Sequence, residues 1–166
     1  MNNLNILVAN DIESRTIELE KFIYKCSDDY EVVKTYSYKD TVREINKKKY
    51  DFIILDVTMP TYFNSEKFSS EAGTFRSLAG INILERMSIE KINTPTVLFT
   101  GIGRFYDKYN YLITIDDIKA NIVEYDFCKE IITDYGEENI WQNKIRYYLK
   151  DIKNGKKQIA NIVNRW

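Results

Sequence analysis

Two acids stand at the ends of apolar runs. Residues 4–11 read LNILVAND and residues 51–56 read DFIILD, so Asp11 and Asp56 each follow branched residues that belong in a core. VLFTG at 97–101 delivers a hydroxyl, Thr100, and IVEYDFCK at 122–129 delivers an ammonium, Lys129. Two carboxylates brought to one edge repel, and one pKa rises unless a cation lies between them. A hard cation that takes oxygen ligands and keeps several waters, Mg²⁺, suits such a pair. Thr100 and Lys129 would then donate to an anion resting on the carboxylates. Together these groups fit a phosphoryl group, whose transfer depends mainly on positioning and charge neutralisation. The chain has no histidine, which excludes His-based triads and most zinc sites.

Elements at fixed intervals must hold these residues. LNILVA (4–9), YEVVKTYS (30–37), DFIILD (51–56), TPTVLFTG (94–101) and IVEYDFC (122–128) read as five strands, short and rich in branched or aromatic residues. IESRTIELEKFIYKC (12–26), YKDTVREINKKKY (38–50) and AGINILERMSIEKI (79–92) carry helical apolar stripes between charged positions. A last helix starts at about Glu137 with EENIWQNKIRYYLKDIKN, and GKKQIANIVNRW extends it past Gly155. RFYDKYNYLITIDDIKANI (104–122) fits either one long helix or a segment with strand character at 111–115. Residues 57–78 lose all periodicity and read as an extended loop insertion, with Tyr62, Phe63, Phe68 and Phe75 scattered through it. Loops of that length are uncommon in compact domains and are often functional.

Apolar strands alternating with helices predict an α/β fold. Its sheet is parallel, five-stranded and doubly wound in the flavodoxin-like order 2-1-3-4-5, with helices on both faces and a long insertion after strand 3. In that order strands 1 and 3 are neighbours, so Asp11 and Asp56 sit side by side. The functional crevice of such sheets lies beyond the carboxyl ends of the strands.

Composition sets the surroundings. A chain of 166 residues is expected to form one domain, 1–166. No run of about 18 apolar residues predicts a membrane span, and MNNLNILVAN lacks the basic start of a secretory signal. A cytoplasmic protein is expected, with Cys26 and Cys128 as free thiols. The net charge of −1 gives no case for nucleic acid or membrane surfaces. In the latter part of the C-terminal helix and basic extension, 137–166, from 144 onwards, Lys144, Arg146, Lys150, Lys153, Lys156, Lys157 and Arg165 stand against one acid, Asp151. That run reads as a solvated face or a dock for an acidic partner.

The residues resemble the receiver (CheY-like) domain of bacterial two-component response regulators, in a stand-alone form. ILVAND is similar to its first strand with the acidic pair, IILDVTMP to its phospho-acceptor strand, and VLFTG to its switch-hydroxyl strand. GINILERM resembles the helix after the acceptor loop, and DFCKE the strand that delivers the family's lysine. The resemblance covers most of residues 4–150. It implies that Asp56 accepts a phosphoryl group from a histidine kinase, a phosphotransfer protein or a small phosphodonor. Asp11, Asp56 and the backbone carbonyl of Thr58 would ligate Mg²⁺, with Asn10 acting indirectly where the family usually has its other acid. Thr100 would hydrogen-bond the phosphoryl group and Lys129 would pair with it. The chain would be a phospho-acceptor with self-catalysed transfer and dephosphorylation, not an enzyme acting on a separate substrate. A downstream protein partner would read the change, and the family's habit of dimerising through its last helices makes a homodimer an expected form.

The chain departs from the pattern at Asn10, in the long loop, at Glu130 where a proline commonly follows the lysine, and at the switch aromatic. Three residues before Lys129 stands Asp126, with Tyr125 and Phe127 on either side. These departures leave a second reading, a degenerate receiver that works as a phosphorylation-independent interaction module. Each site residue also has a plainer role: Asp56 a turn acid, Asp11 the cap of the first helix, Thr100 turn chemistry, Lys129 a surface charge, Cys128 core packing. A flavin-binding domain of similar topology needs a phosphate-cradling loop after strand 1, and ANDIESR has neither a glycine nor a hydroxyl cluster.

Overall fold

The computed structural model describes residues 3–62, 75–136 and 139–163. Their order is β1 (Leu4–Ala9), α1 (Glu13–Cys26), β2 (Tyr30–Thr35), α2 (Tyr38–Lys47), β3 (Phe52–Asp56), β4 (Met59–Pro60), β5 (Phe75–Arg76), α3 (Ala79–Ile89), β6 (Thr96–Thr100), β7 (Arg104–Tyr106), β8 (Leu112–Thr114), α4 (Ile115–Ile122), β9 (Cys128–Thr133) and α5 (Ile140–Val163). The main sheet has the order β2-β1-β3-β6-β9 and every pairing in it is parallel. This is the expected doubly wound 2-1-3-4-5 sheet.

Strand alternation sends successive side chains to opposite faces. Ile53 and Leu55 of β3 join Leu7, Ile83, Leu84, Met87 and Ile118 in one core, covered by α2, α3 and α4. Phe52 and Ile54 join Ile6, Val8, Leu19, Ile23, Phe99 and Trp141 in the other, covered by α1 and α5. All five residues of β3 and of β6 are buried, as central strands of a parallel sheet must be.

The fifth strand differs from the expectation. IVEYDFC is not a strand: Ile122 ends α4, residues 123–127 turn, and the strand is Cys128–Thr133. Thr114 and Asp117 form a capping box that starts α4 and carries helix as far as Ile122. β9 then borders the sheet, and its exposed Lys129 breaks the apolar pattern that marks an inner strand.

Residues 104–114 resolve into a β-hairpin, β7 against β8, followed by the short helix α4. The hairpin is anchored by buried Phe105 and closed by Asp107, whose carboxylate accepts from the N–H of Tyr109 and Tyr111 at 2.8 Å each. Of the 57–78 insertion the described part is an antiparallel ribbon, Met59 with Arg76 and Pro60 with Phe75. The ribbon is pinned to α2: Lys39 donates its backbone N–H to the Thr61 carbonyl at 3.0 Å, and Arg76 lies over the Tyr38 ring at 4.2 Å. Phe63 and Phe68 lie outside the described residues, as do 137–138 at the expected start of the last helix. That helix, α5, runs unbroken through Gly155. Lys153 pairs with Asp29 at 3.1 Å and Lys156 with Asp51 at 2.6 Å, so part of its basic face is tied to the chain itself.

Candidate functional site

The carboxyl end of β1 is built as a turn into α1. Buried Asn10 accepts the Ile12 N–H on Oδ1 at 2.8 Å, and the Thr16 hydroxyl donates to the Asn10 carbonyl at 3.3 Å. Asn10 therefore shapes the turn. The N-cap of α1 is Ile12, with no side-chain cap, so Asp11 is not the helix cap that its type allows. Among the described residues no ion pair is formed by Asp11 or Asp56. Burial raises the Asp11 pKa, against the pull of a backbone hydrogen bond.

β3 pairs with β1 through Leu55 and Ala9, which brings Asp56 beside Asn10 and Asp11. Asp56 is only 5% exposed. Its Oδ1 accepts the Thr58 N–H at 3.2 Å. Its pKa is pushed up to about 7, by burial first; the Thr58 N–H pulls it back, while the charges of Asp11 and Asp134 raise it further. Gly80 makes the strand end possible. A Cβ there would stand 2.5 Å from the Asp56 carbonyl oxygen, and the Gly80 N–H donates to the Val57 carbonyl at 3.0 Å. Helix α3 can begin against this backbone only without a side chain at that position.

Thr100 ends β6, buried at 1% exposure. Its Oγ1 accepts the Ile102 N–H at 3.2 Å and holds the turn that follows. Its carbonyl accepts the N–H of Asp134 at 3.1 Å, tying the end of β6 to the end of β9.

Lys129 does not join these residues. The register aligns Cys128 with Thr96 at the start of β6 and Thr133 with Thr100 at its end. At about 3.3 Å per residue, Lys129 lies roughly 13 Å down the strand from Thr133. Its ammonium is exposed and donates to the Asp126 carbonyl at 3.3 Å. Glu130, read as the position after the lysine, instead anchors α5 by accepting from Lys144 and from the Tyr148 hydroxyl. The residue that follows β9 at the crevice is Asp134, and three before it stands buried Ile131 rather than an aromatic. Tyr125 and Phe127 belong to the turn ahead of β9.

Asp134 and Arg15 are the two site residues that sequence reasoning missed. Asp134 leans over Gly101, where a Cβ would lie 3.1 Å from its Oδ1. Arg15, in the first turn of α1, reaches across the crevice to pair with the Asp134 carboxylate. It also pairs with Glu18 at 2.7 Å and sits 5.9 Å from the Phe99 ring centre. One signal was present in the sequence: IITDYG is an apolar run closed by a turn, with Asp134 in the place Lys129 was given.

The donor set fits a hard cation. Asp11 and Asp56 supply carboxylate oxygens whose mutual repulsion a cation would relieve. Among the described residues no three of His, Cys, Asp and Glu form a group able to hold a metal ion, whereas Mg²⁺ needs only one or two carboxylates and keeps its waters. Cys128 is a buried thiol pushed up to about 12 by burial, which suits packing rather than chemistry. Among the described residues no helix is long and apolar enough to cross a membrane.

No protein-family model matches the chain. It is 28% identical over 121 residues to the Detocs response regulatory protein DtcB of Enterobacter cloacae (strain JD6301), covering 72% of this chain and 79% of that protein. The fold is similar to the signal receiver domain of a putative Luxo repressor protein from Vibrio parahaemolyticus, with a TM-score of 0.62 at 16% identity over 93% of this chain and 95% of that one. The receiver domain of the Francisella response regulator 1452 gives 0.60 at 17% identity over 93% and 99% of the two chains. A response regulator receiver domain protein from Clostridium thermocellum gives 0.61 at 16% over 94% and 98%. By its sheet order and these likenesses, the chain has the fold of receiver domains and is similar in sequence to a response regulatory protein.

Proposed function

We propose that the chain accepts a phosphoryl group on Asp56 and signals by changing its contacts with another protein. The observation that carries this reading is a buried, unpaired carboxylate at the end of β3, raised to about 7 and set beside Asp11. Asp11, Asp56 and the Thr58 carbonyl would hold Mg²⁺, which supplies charge neutralisation at the carboxylate edge. The Asp56 carboxylate attacks phosphorus, the phosphorus–donor bond breaks, and the donor leaves with the electron pair. Ionised Asp56 is the nucleophile, and neutralising its surroundings raises the share of that form at neutral pH. Thr100 is suited to donate to the added phosphoryl oxygens, at the cost of its turn bond to Ile102. The hairpin that follows Thr100 would carry the change outward, since Tyr106, Tyr109, Tyr111 and Leu112 are exposed on it.

The donor would be a histidine kinase, a phosphotransfer protein or a small acyl phosphate, in the cytoplasm, and the reader a protein rather than nucleic acid. A single domain spanning 1–166 suffices for this role, with turnover of no separate substrate. A second reading, a phosphorylation-independent interaction module, is favoured by Asp134 standing where the resemblance expects a cation. Intact mass after incubation with Mg²⁺ and acetyl phosphate separates the two. The first reading expects one phosphoryl adduct that Asp56→Asn abolishes; the second expects none in folded wild type.

A further inference from the structure

We propose that Arg15 is the cation of this site, held on Asp134 in the resting state and transferred to the phosphoryl group when Asp56 is modified. This rests on the phosphoryl-accepting reading above. Asp56 pairs with Phe99 and Thr100 with Thr133, the residue before Asp134, so the two carboxylates stand at the same edge of the sheet. A phosphoryl group brings about −1.5 to −2 further charge to the same place. Mg²⁺ would offset the charge on the Asp11 side, and the side towards Asp134 still needs a positive group from the chain. Lys129 is at the opposite end of β9 and cannot supply it. Among the described residues, Arg15 forms the ion pair that touches this edge.

Geometry gives Arg15 the means to move. It enters from α1, in the first turn after Asp11, so its backbone is fixed while its long side chain spans the crevice to Asp134. Its guanidinium is divided between Glu18 and Asp134, with one nitrogen on each. Phosphoryl oxygens accept a guanidinium fork in the same two-point manner as a carboxylate, with more charge. The resting pair is therefore a stand-in: Asp134 occupies Arg15 until a stronger anion appears at the same sheet edge. Asp134, released from the guanidinium, stays tied by its backbone N–H to the Thr100 carbonyl, so its rearrangement is felt at the ends of both β6 and β9.

The experiment measures the rate of phosphoryl adduct formation from acetyl phosphate with Mg²⁺ in four proteins: wild type, Arg15→Gln, Arg15→Gln with Asp134→Asn, and Asp134→Lys. Circular dichroism and urea midpoints confirm folding of each. Arg15→Gln should lower the rate about 10- to 100-fold, the worth of one charge-assisted hydrogen bond to the phosphoryl group. The double variant should stay equally slow, because the cation is still missing. Recovery of the wild-type rate in the double variant would mean that Asp134 merely repels and Arg15 merely masks it, which overturns the proposal. So would an unchanged rate in Arg15→Gln. If wild type takes no phosphoryl group but Asp134→Lys does, Asp56 is reactive and Arg15 is not its cation: this inference fails and the chemistry of the site survives. If neither takes one, the phosphoryl-accepting reading fails and carries this one with it.

Discussion

Replacing Asp56 by Asn should stabilise the protein, and by an amount that depends on pH. The carboxyl is buried and its pKa is lifted from 3.8 to about 7. Each pKa unit corresponds to 1.36 kcal/mol between the two protonation states, so ionising Asp56 in the folded protein costs about 4 kcal/mol. The sign follows from linkage. A group whose folded pKa lies above its unfolded value contributes its full stability below about pH 4 and loses it as pH rises towards 7. Asparagine has nearly the same shape, can still accept the Thr58 N–H, and does not ionise. The variant should therefore lead wild type by only about 1 kcal/mol at pH 4.5 and by up to about 4 kcal/mol at pH 8. Against a total stability of about 5–15 kcal/mol that gap is large. The comparison cancels other titrating groups, such as Asp117, whose carboxyl the Thr114 hydroxyl and N–H hold below its ordinary value in both proteins. Urea unfolding in chelator at pH 4.5, 6 and 8 measures it. Millimolar Mg²⁺ should close part of the gap at pH 8, since a ligand of the ionised native form stabilises it. Superimposed unfolding curves at all three pH values would refute the assignment of Asp56 as a strained, buried acid.

Gly80→Ala should destabilise the fold by roughly 1–3 kcal/mol in urea, because its new methyl meets the Asp56 carbonyl oxygen and forces α3 off the strand end, outweighing alanine's better helix propensity. Lys129→Ala should leave the rate of phosphoryl uptake from acetyl phosphate within about twofold of wild type, as the side chain lies at the far end of β9; a loss like that expected for Arg15→Gln would restore Lys129 to the site. Thr114→Ala should cost about 1 kcal/mol in urea by removing the capping box that starts α4, and an unchanged midpoint would mean that the hairpin alone fixes that helix.

The sequence was most legible where burial is complete. β1, β3 and β6 have neighbours on both edges and helices on both faces, so apart from Asn5, Thr96 and the strand-end Asp56 and Thr100 their residues are apolar, and their ends fall at Ala9, Asp56 and Thr100. Asp11 beside Asp56 followed from strand order alone. Among the described residues β9 has one neighbouring strand, and its opening residues Lys129 and Glu130 do not look like a buried strand. The apolar string IVEYDFC just before it straddles a helix end and a turn, with Ile122 and Phe127 buried but Val123 75% exposed. That displacement moved the supposed cation to the wrong edge and hid the Arg15–Asp134 pair, which can be seen only once β9 ends at Thr133. The hairpin at 104–114 escaped for another reason: strands of three residues are too short to show a period of two.

The border position of β9 gives Lys129 a different meaning. Among the described residues, β2 and β9 each leave one row of backbone donors and acceptors without a strand beside it. An open row of this kind is a template for a sheet from another molecule. Charges along the row make such pairing costly, and both borders carry them: Glu31 and Lys34 on β2, Lys129 and Glu130 on β9. By its exposed charge on a border strand, the lysine that looked like a reagent fits a guard against sheet-to-sheet pairing.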